Sequence, residues 1–455
     1  RVEEIIGDFV QLKKSGSNYK GLSPFTEERT PSFMVSPAKQ IWKDFSSGKG
    51  GTVITFLMEH EQYTYPEAIK YIASKYNIEV EETERTPEQI SEDNEKESLF
   101  LVSDFAKNYF KKNLFKDEGK TIALSYLKER KFKKDTIEKF EIGYSVKIKD
   151  DFSKVALDAG YRLNFLEKTG LTIVKDSENI DRFRGRVIFP IKSMSGRILG
   201  FGGRILGSSK NLAKYINSPE SLIYQKSKVL YGIYESKQSI VKNDNCFLVE
   251  GYTDVIKMHQ CGISNVVASS GTALTENQIR LINRLTKNIT VVFDGDAAGS
   301  RAALRGIDLI LGQGMNVKIC NLPENEDPDS FVSERSLKEV TSYLLENSKD
   351  FIVYKASLLL NDSENDPVKK ASVIRDIVES ISKVSDFIKR ELYIKECSKI
   401  MNISEQVIYS TLVQISKQSQ KNLSKKKLVV NEPISIIKPE KKKRSVNELY
   451  ELEKK

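Results

Sequence analysis

Cys246-Phe247-Leu248-Val249-Glu250-Gly251-Tyr252-Thr253-Asp254 and Ile289-Thr290-Val291-Val292-Phe293-Asp294-Gly295-Asp296 share one pattern. Each begins as a short apolar run and closes on a carboxylate, and apolar runs of this length read as buried strands. Carboxylates at the C-terminal ends of parallel strands converge in one crevice. A third acidic pair, Asp327-Pro328-Asp329, follows downstream. Crowded carboxylates repel one another unless a cation lies between them. Magnesium suits that place, because it takes hard oxygen ligands and leaves room for phosphate. The local chemistry therefore points to metal-assisted phosphoryl transfer. A lone Asp-x-Asp would more often be a cap, here for a helix opening at Ala297-Ala298-Gly299. Glu250 at an earlier strand end and Asp327/Asp329 beyond reverse that preference, and Gly295 permits a sharp exit and close approach by a phosphate.

Outward from these strands, residues 183–332 alternate β-rich runs with helical stretches. Val187-Ile188-Phe189, Ile198-Leu199-Gly200-Phe201, Val266-Val267-Ala268 and Val317-Lys318-Ile319 are the runs; Asp254–Gln260 and Ala297–Leu311 are the helices. The pattern predicts an α/β fold, a parallel sheet with helices on its faces. Residues 1–80 form a separate unit whose Tyr65, Ala68, Ile69, Ile72 and Ala73 make a helical stripe. Residues 81–98 are acidic and nearly free of apolar groups, which reads as a linker. Helical spacing returns at Leu99–Asn113 and Lys120–Arg130, so 99–240 and 241–335 are taken as two parts of a core. Residues 336–418 read as helical, with Val373, Ile374, Ile377, Val378, Ile381 and Val384 on one face. Residues 419–455 carry Lys425-Lys426-Lys427 and Lys441-Lys442-Lys443-Arg444, a basic tail. The chain opens at Arg1 in apparent mid-helix, as a fragment would.

Lys and Arg exceed Asp and Glu by 72 to 63 in 455 residues, so the acidic clusters sit on a basic background. Such a background suits a polyanionic substrate, although it also serves solubility. Cys246, Cys261, Cys320 and Cys397 lack the paired spacing of a zinc knuckle or a disulfide framework. A reducing, cytoplasmic compartment and no membrane are expected. His60 and His259 are the two histidines, each expected on a helix surface. A histidine base is then not expected, and deprotonation of an attacking hydroxyl falls to metal.

Upstream lies Asp181-Arg182-Phe183-Arg184-Gly185-Arg186-Val187-Ile188-Phe189-Pro190-Ile191, then Gly200-Phe201-Gly202-Gly203-Arg204, Lys214-Tyr215-Ile216-Asn217-Ser218-Pro219-Glu220 and Leu230-Tyr231-Gly232. On a strand, Arg182, Arg184 and Arg186 would share one cationic face. A salt-bridged surface strand is the plain alternative. Gly202-Gly203 would let backbone amides approach a nucleic-acid backbone. The Glu-then-Asp-x-Asp arrangement resembles the toprim domain of primases, topoisomerases and some nucleases. The whole string from Arg182 to Asp329 resembles the RNA polymerase domain of bacterial replicative primases of the DnaG type, and 123–143 resembles it more weakly. Ala213 departs from the proline common in the family.

That resemblance implies a DNA-dependent RNA polymerase that makes short RNA primers on single-stranded DNA. It implies that Glu250, Asp294 and Asp296 hold magnesium, with manganese an alternative, and that Asp254, Asp327 and Asp329 complete the pocket. It places Arg130, Arg184, Arg186, Arg204, Lys214, Tyr215, Asn217 and Lys226 along the path of template and ribonucleoside triphosphates. Its expected partners are the replicative helicase and single-strand-binding protein at the replisome. Residues 1–80 resemble the family's zinc ribbon, through Pro24-Phe25, Glu28–Phe33 and Phe56-Leu57-Met58. Ser23, Thr26, Asp44 and Ser47 stand where that ribbon has its cysteines and histidine. Structural zinc wants thiolates and imidazoles, so a ribbon without zinc is expected, held by Phe25, Phe33, Trp42 and Phe45. The family ends in a helicase-docking domain, most of which is expected to be missing. The rival readings are another toprim enzyme, for which no tyrosine-bearing DNA-gate domain is seen, and an inactive replication scaffold.

Overall fold

The computed structural model describes residues 1–26, 28–78, 87–207, 213–271, 273–294, 297–360 and 367–430. The first unit opens with α1 (Val2–Ile6) and continues as an antiparallel meander of β1 (Lys13–Ser15), β2 (Asn18–Gly21), β3 (Phe33–Ser36), β4 (Ile41–Asp44) and β5 (Gly50–Gly51). Helices α2 (Val53–His60) and α3 (Tyr65–Lys75) close it. Thr52 starts α2 by accepting the Thr55 amide, and Thr64 with Glu67 forms a capping box on α3. Phe25 and Phe33 each stack on Trp42 at 5.4 Å, and Phe56 meets Trp42 edge-on. Phe45 does not join this core as expected; it is 68% exposed. Trp42 and Asp44 point inward on β4, and Phe45 begins the exposed turn that follows the strand.

The expected linker at 81–98 is also corrected. Residues 81–86 lie outside the described residues, but 87–98 belong to one helix, α4 (Pro87–Leu114). Its polar first half is supported by the Glu92–Lys96 pair at 2.7 Å and by Glu97 on Arg197. Leu99, Val102, Ala106 and Phe110 then bury one stripe. Helices α5 (Ser125–Glu129) and α6 (Lys134–Lys139), strand β6 (Gly143–Ser145), helices α7 (Asp151–Asp158) and α8 (Leu163–Lys168), and the hairpin β7 (Thr172–Lys175) and β8 (Glu178–Asp181) follow.

Strands β9 (Arg186–Lys192), β10 (Ile198–Ile205) and β11 (Tyr215–Asn217) join β6 in an antiparallel sheet of order β11-β10-β9-β6. The stretch from Phe183 is therefore not one parallel sheet. The connection 193–197 is too short for the crossover that parallel strands need. Arg182 and Arg184 lie in the turn before β9, so the three arginines share no face. Gly202 and Gly203 are also reassigned. Both sit in the doubly paired β10, where an added Cβ would come within 2.4 Å of the Tyr252 ring at Gly202 and 2.6 Å of the Phe183 ring at Gly203. The missing side chains admit aromatic rings, not a phosphate.

The second sheet is the expected one. After α9 (Ile233–Asn243) come β12 (Cys246–Val249), α10 (Tyr252–Cys261), β13 (Val266–Ala268), α11 (Glu276–Asn283), β14 (Asn288–Phe293), α12 (Ala297–Gly312), β15 (Asn316–Asn321), α13 (Pro328–Ser333) and α14 (Leu337–Asn347). Strand order is β13-β12-β14-β15, all parallel, extended by antiparallel β16 (Ser348–Asp350). That strand interrupts the region expected to be wholly helical. Helices α15 (Phe351–Leu360), α16 (Pro367–Ser382), α17 (Phe387–Met401) and α18 (Glu405–Val430) complete the described chain, α18 running past the expected boundary at 418. Val373, Ile377, Val378, Ile381 and Val384 on and just beyond α16 are buried as expected. Asp308 on α12 pairs with Lys355 and Lys383, tying this bundle to the parallel sheet. Residues 431–455, with the second basic run, lie outside the described residues.

The first unit docks on α9. Buried Lys237 meets Glu61 at 2.7 Å, and His60, buried rather than on a helix surface, donates from its Nδ1 to the Glu61 carboxylate at 2.8 Å. Burial alone would raise the Glu61 carboxyl, but His60 and Lys237 bring it down to about 2. A carboxyl lowered on folding stabilises fully above its ordinary value and loses that contribution as pH falls toward the folded one. Lys237→Met should therefore cost about 3 kcal/mol near neutrality. In urea titrations followed by fluorescence of Trp42, the gap between wild type and variant should shrink as pH drops from about 4.5 to about 2.

Candidate active site

Glu250 and Asp294 close adjacent parallel strands, β12 and β14, whose register pairs Leu248 with Val291. Neighbouring strands lie about 4.8 Å apart, so Glu250 and Asp294 follow adjacent strands at the same, C-terminal end of the sheet. Glu250 is exposed and its carbonyl accepts the Ser270 amide at 3.0 Å; Asp294 is half-buried. Asp254, on the first turn of α10, is buried and accepts the Gly251 amide at 2.8 Å. Burial, then the negative charges of Asp327, Asp294 and Asp329, raises its carboxyl to about 7. Asp327 caps α13 by accepting the Ser330 amide at 2.7 Å. Asp329 is buried and pairs with Arg130, with Lys257 at 4.0 Å. Burial outweighs those two cations and leaves the Asp329 carboxyl raised.

Asp296 lies outside the described residues. Among the described residues no three candidate ligands meet at one ion position. The chemistry of the set nevertheless fits a hard divalent cation. The donors are oxygens, and they repel one another: burial raises the Asp254 carboxyl first, and the charges of Asp327, Asp294 and Asp329 add to it.

The expected basic path divides on inspection. Arg184 and Lys214 are exposed, and Lys226 is half-buried in a 3₁₀ turn. Arg204 donates to the Tyr215 hydroxyl at 3.1 Å and lies over the Tyr126 ring at 5.0 Å. Arg186 leaves the group. It is buried and donates to the carbonyls of Gly203, Ala213 and Lys214, fixing the β10–β11 hairpin. Asn217 is committed as well: its Nδ2 donates to the Ser270 carbonyl at 3.1 Å and its Oδ1 accepts the Tyr252 hydroxyl at 2.8 Å. It braces one sheet against the other. Arg130 is engaged by Asp329, which leaves it a partner of the acidic set first.

Tyr252 and Lys257 escaped the sequence reading. The Tyr252 ring stacks on Phe189 at 5.3 Å across the two sheets. Lys257 is 2% exposed, a lysine one turn beyond Asp254 on a buried helix. That spacing was the available signal. His259 is half-buried against Phe140, bonded to Ser236 at 2.9 Å, and lowered to about 3 by burial and then Lys139. It is neutral and lies away from a surface role. In the first unit Ser23, Asp44 and Ser47 come together, Ser23 donating to Asp44 at 2.9 Å, while the Thr26 side chain turns to Ser46.

Four family models match the chain in order. They are the CHC2 zinc finger at residues 1–88, the DNA primase catalytic core N-terminal domain at 109–237, the Toprim-like domain at 247–332 and the DnaB-helicase binding domain of primase at 365–406. The last falls within the helical region taken as 336–418. A DNA primase of Clostridium acetobutylicum is 38% identical over 434 residues, covering 93% of this chain and 70% of that protein. The zinc-binding and RNA polymerase domains of the Aquifex aeolicus primase superpose with a TM-score of 0.62 at 30% identity, covering 90% of this chain and 96% of theirs. A DnaG primase catalytic domain bound to single-stranded DNA gives a TM-score of 0.60 at 30% identity, over 67% of this chain and 99% of that one. The order of ribbon, antiparallel sheet, parallel sheet and helical bundle thus agrees with the sequence kinship, and the chain belongs to the bacterial DnaG-type DNA primases.

Proposed function

We propose that the chain is a DNA-directed RNA polymerase, a nucleotidyltransferase that joins ribonucleoside triphosphates into primers on single-stranded DNA. The observation that carries this is the placement of Glu250 and Asp294 on adjacent parallel strand ends, with Asp254 and Asp327 behind them. Glu250, Asp294 and Asp296 would hold magnesium or manganese. Bound there, the ion would polarise the α-phosphate and lower the pKa of the attacking 3′-hydroxyl. Asp254, Asp327 and Asp329 keep the pocket negative, while Arg130 and Lys257 limit the repulsion. Arg184, Arg204 and Lys214 contact phosphates of template and nucleotide. The half-buried His259, its imidazole lowered to about 3, and the Glu61-bonded His60 offer no base at the pocket.

Residues 365–406 are proposed to meet the replicative helicase, and single-strand-binding protein completes the setting at the cytoplasmic replisome. No described helix is long and apolar enough to cross a membrane. The ribbon is proposed to reach the template without zinc: its ligand positions carry hydroxyls and one carboxylate. Phe45 offers it an exposed ring on which an unpaired base can stack.

Asp294→Asn should lower dinucleotide synthesis at least roughly a hundredfold while template affinity stays within twofold, measured by radiolabelled product and by fluorescence anisotropy. An active variant would remove the metal assignment. Relaxation of supercoiled plasmid by the wild type would instead favour a topoisomerase, and absence of both activities the scaffold. Arg184→Ala should reduce the slope of log affinity against log salt by about 0.7, read from anisotropy titrations across a salt series. Phe45→Ala should weaken binding of single-stranded template by about 1–3 kcal/mol without altering the unfolding midpoint, since its ring supports no core.

A further inference from the structure

The first unit has the topology of a zinc ribbon and none of its chemistry. No cysteine precedes Cys246, and the unit's one histidine, His60, is spent on Glu61 and the docking face. Zinc ribbons are closed by an ion that ties two turns together through thiolates and imidazoles. The two turns here are 23–26 and 44–47. Hydroxyls are poor zinc ligands, so this set does not fit the ion.

What joins the turns is a buried carboxylate. Asp44 has no exposed surface. Its Oδ2 accepts from the Ser23 hydroxyl at 2.9 Å, the Ser47 amide at 3.0 Å and the Ser47 hydroxyl, and the Ser32 hydroxyl lies 3.2 Å from Oδ1. The Ser23 oxygen in turn accepts the amides of Phe25 and Thr26, each at 3.1 Å, so it orders the first turn as a ligand would. Glu28 accepts the amides of Ser23 at 2.6 Å and Ser32 at 2.9 Å, locking the approach to that turn. An ionised carboxylate is tolerated in a core only when its oxygens are met by donors. Burial would raise the Asp44 carboxyl, but Ser47, Ser23 and Ser32 together hold it below its ordinary value.

We propose that the Asp44 carboxylate, bonded to Ser23, Ser32 and Ser47, is the cross-link that closes this ribbon in place of a metal ion. The proposal rests on the zinc-free reading above and adds what replaces the ion. Trp42, the chain's single tryptophan, sits in the ribbon core, so its fluorescence reports this unit within the full chain. In thermal unfolding of the intact protein, EDTA should leave the Trp42 midpoint unchanged, and elemental analysis should find less than a tenth of an equivalent of zinc. Asp44→Ala should lower that midpoint by at least about 8 °C, while the catalytic units, followed by far-UV circular dichroism, unfold where they did before. Should Asp44→Ala prevent the ribbon from folding, Ser32→Ala provides a milder version, lowering the midpoint by about 4 °C. The fourfold variant Ser23→Cys, Thr26→His, Asp44→Cys, Ser47→Cys should bind one zinc and become sensitive to EDTA. Stoichiometric zinc in the wild type, or a midpoint lowered by EDTA, overturns the zinc-free reading itself. Absent zinc with an unmoved midpoint in Asp44→Ala and Ser32→Ala overturns the carboxylate cross-link alone. No arm measures primer synthesis, so the polymerase assignment stands or falls separately.

Discussion

Mutual repulsion among carboxylates governs this molecule. The ends of β12 and β14 bring Glu250 and Asp294 to the same end of the sheet, and Asp254, Asp327 and Asp329 crowd in from α10 and α13. Such a gathering resists assembly unless the surroundings enforce it. Enforcement comes from apolar strands that leave the carboxylates nowhere else to go, with Leu248, Val291, Val292 and Phe293 buried behind them. Relief comes from Arg130 and Lys257, which reach Asp329 from the opposite side. Asp254, deeply placed, has its carboxyl raised by burial first and by its acidic neighbours second. A pocket held in this state is poised for cationic ligands, because each one bound removes repulsion already built into the fold.

The two sheets answer one another across that pocket. Tyr252 follows Glu250 by two residues, yet its ring packs into the antiparallel sheet, on Phe189 and over the space left by Gly202. Its hydroxyl reaches Asn217, which bonds back to the carbonyl of Ser270, whose amide holds the carbonyl of Glu250. The circuit makes the β10–β11 hairpin and the Glu250 strand end a single positioned body. A displaced strand β11 would carry the Glu250 strand end with it.

Legibility followed physical scale. Strand ends, helical stripes and the parallel core were readable, since apolar periodicity over six or more residues leaves few alternatives. The strand-end positions of Glu250 and Asp294 were readable, because carboxylates after buried strands have few structural uses, while Asp296 lies outside the described residues. Individual polar side chains were less so. Arg186 and Asn217 carry the residue types of a nucleic-acid surface but spend their donors on backbone carbonyls, and composition does not say which way a side chain turns. Hydrophobicity alone places Phe45 inward, whereas it falls in the exposed turn just after β4. The stretch 87–98 looked like a linker because its support comes from distant partners, Arg197 and Lys168, invisible to a local window. Lys257 was hidden by being one lysine among many.

The ribbon's lack of cysteine has its own consequence. Thiolate-bound metal is a target for peroxide and hypochlorite, which convert the ligands to sulfenic acid or disulfide. Here every cysteine lies at or beyond Cys246, and Cys246, Cys320 and Cys397 are buried with thiols raised above their ordinary range. Hydroxyls and a carboxylate do not oxidise under such conditions. A turn closed by the proposed carboxylate cross-link would thus hold under oxidation that strips metal from thiolates, leaving Met34 and Met58 as the unit's oxidisable sulfur.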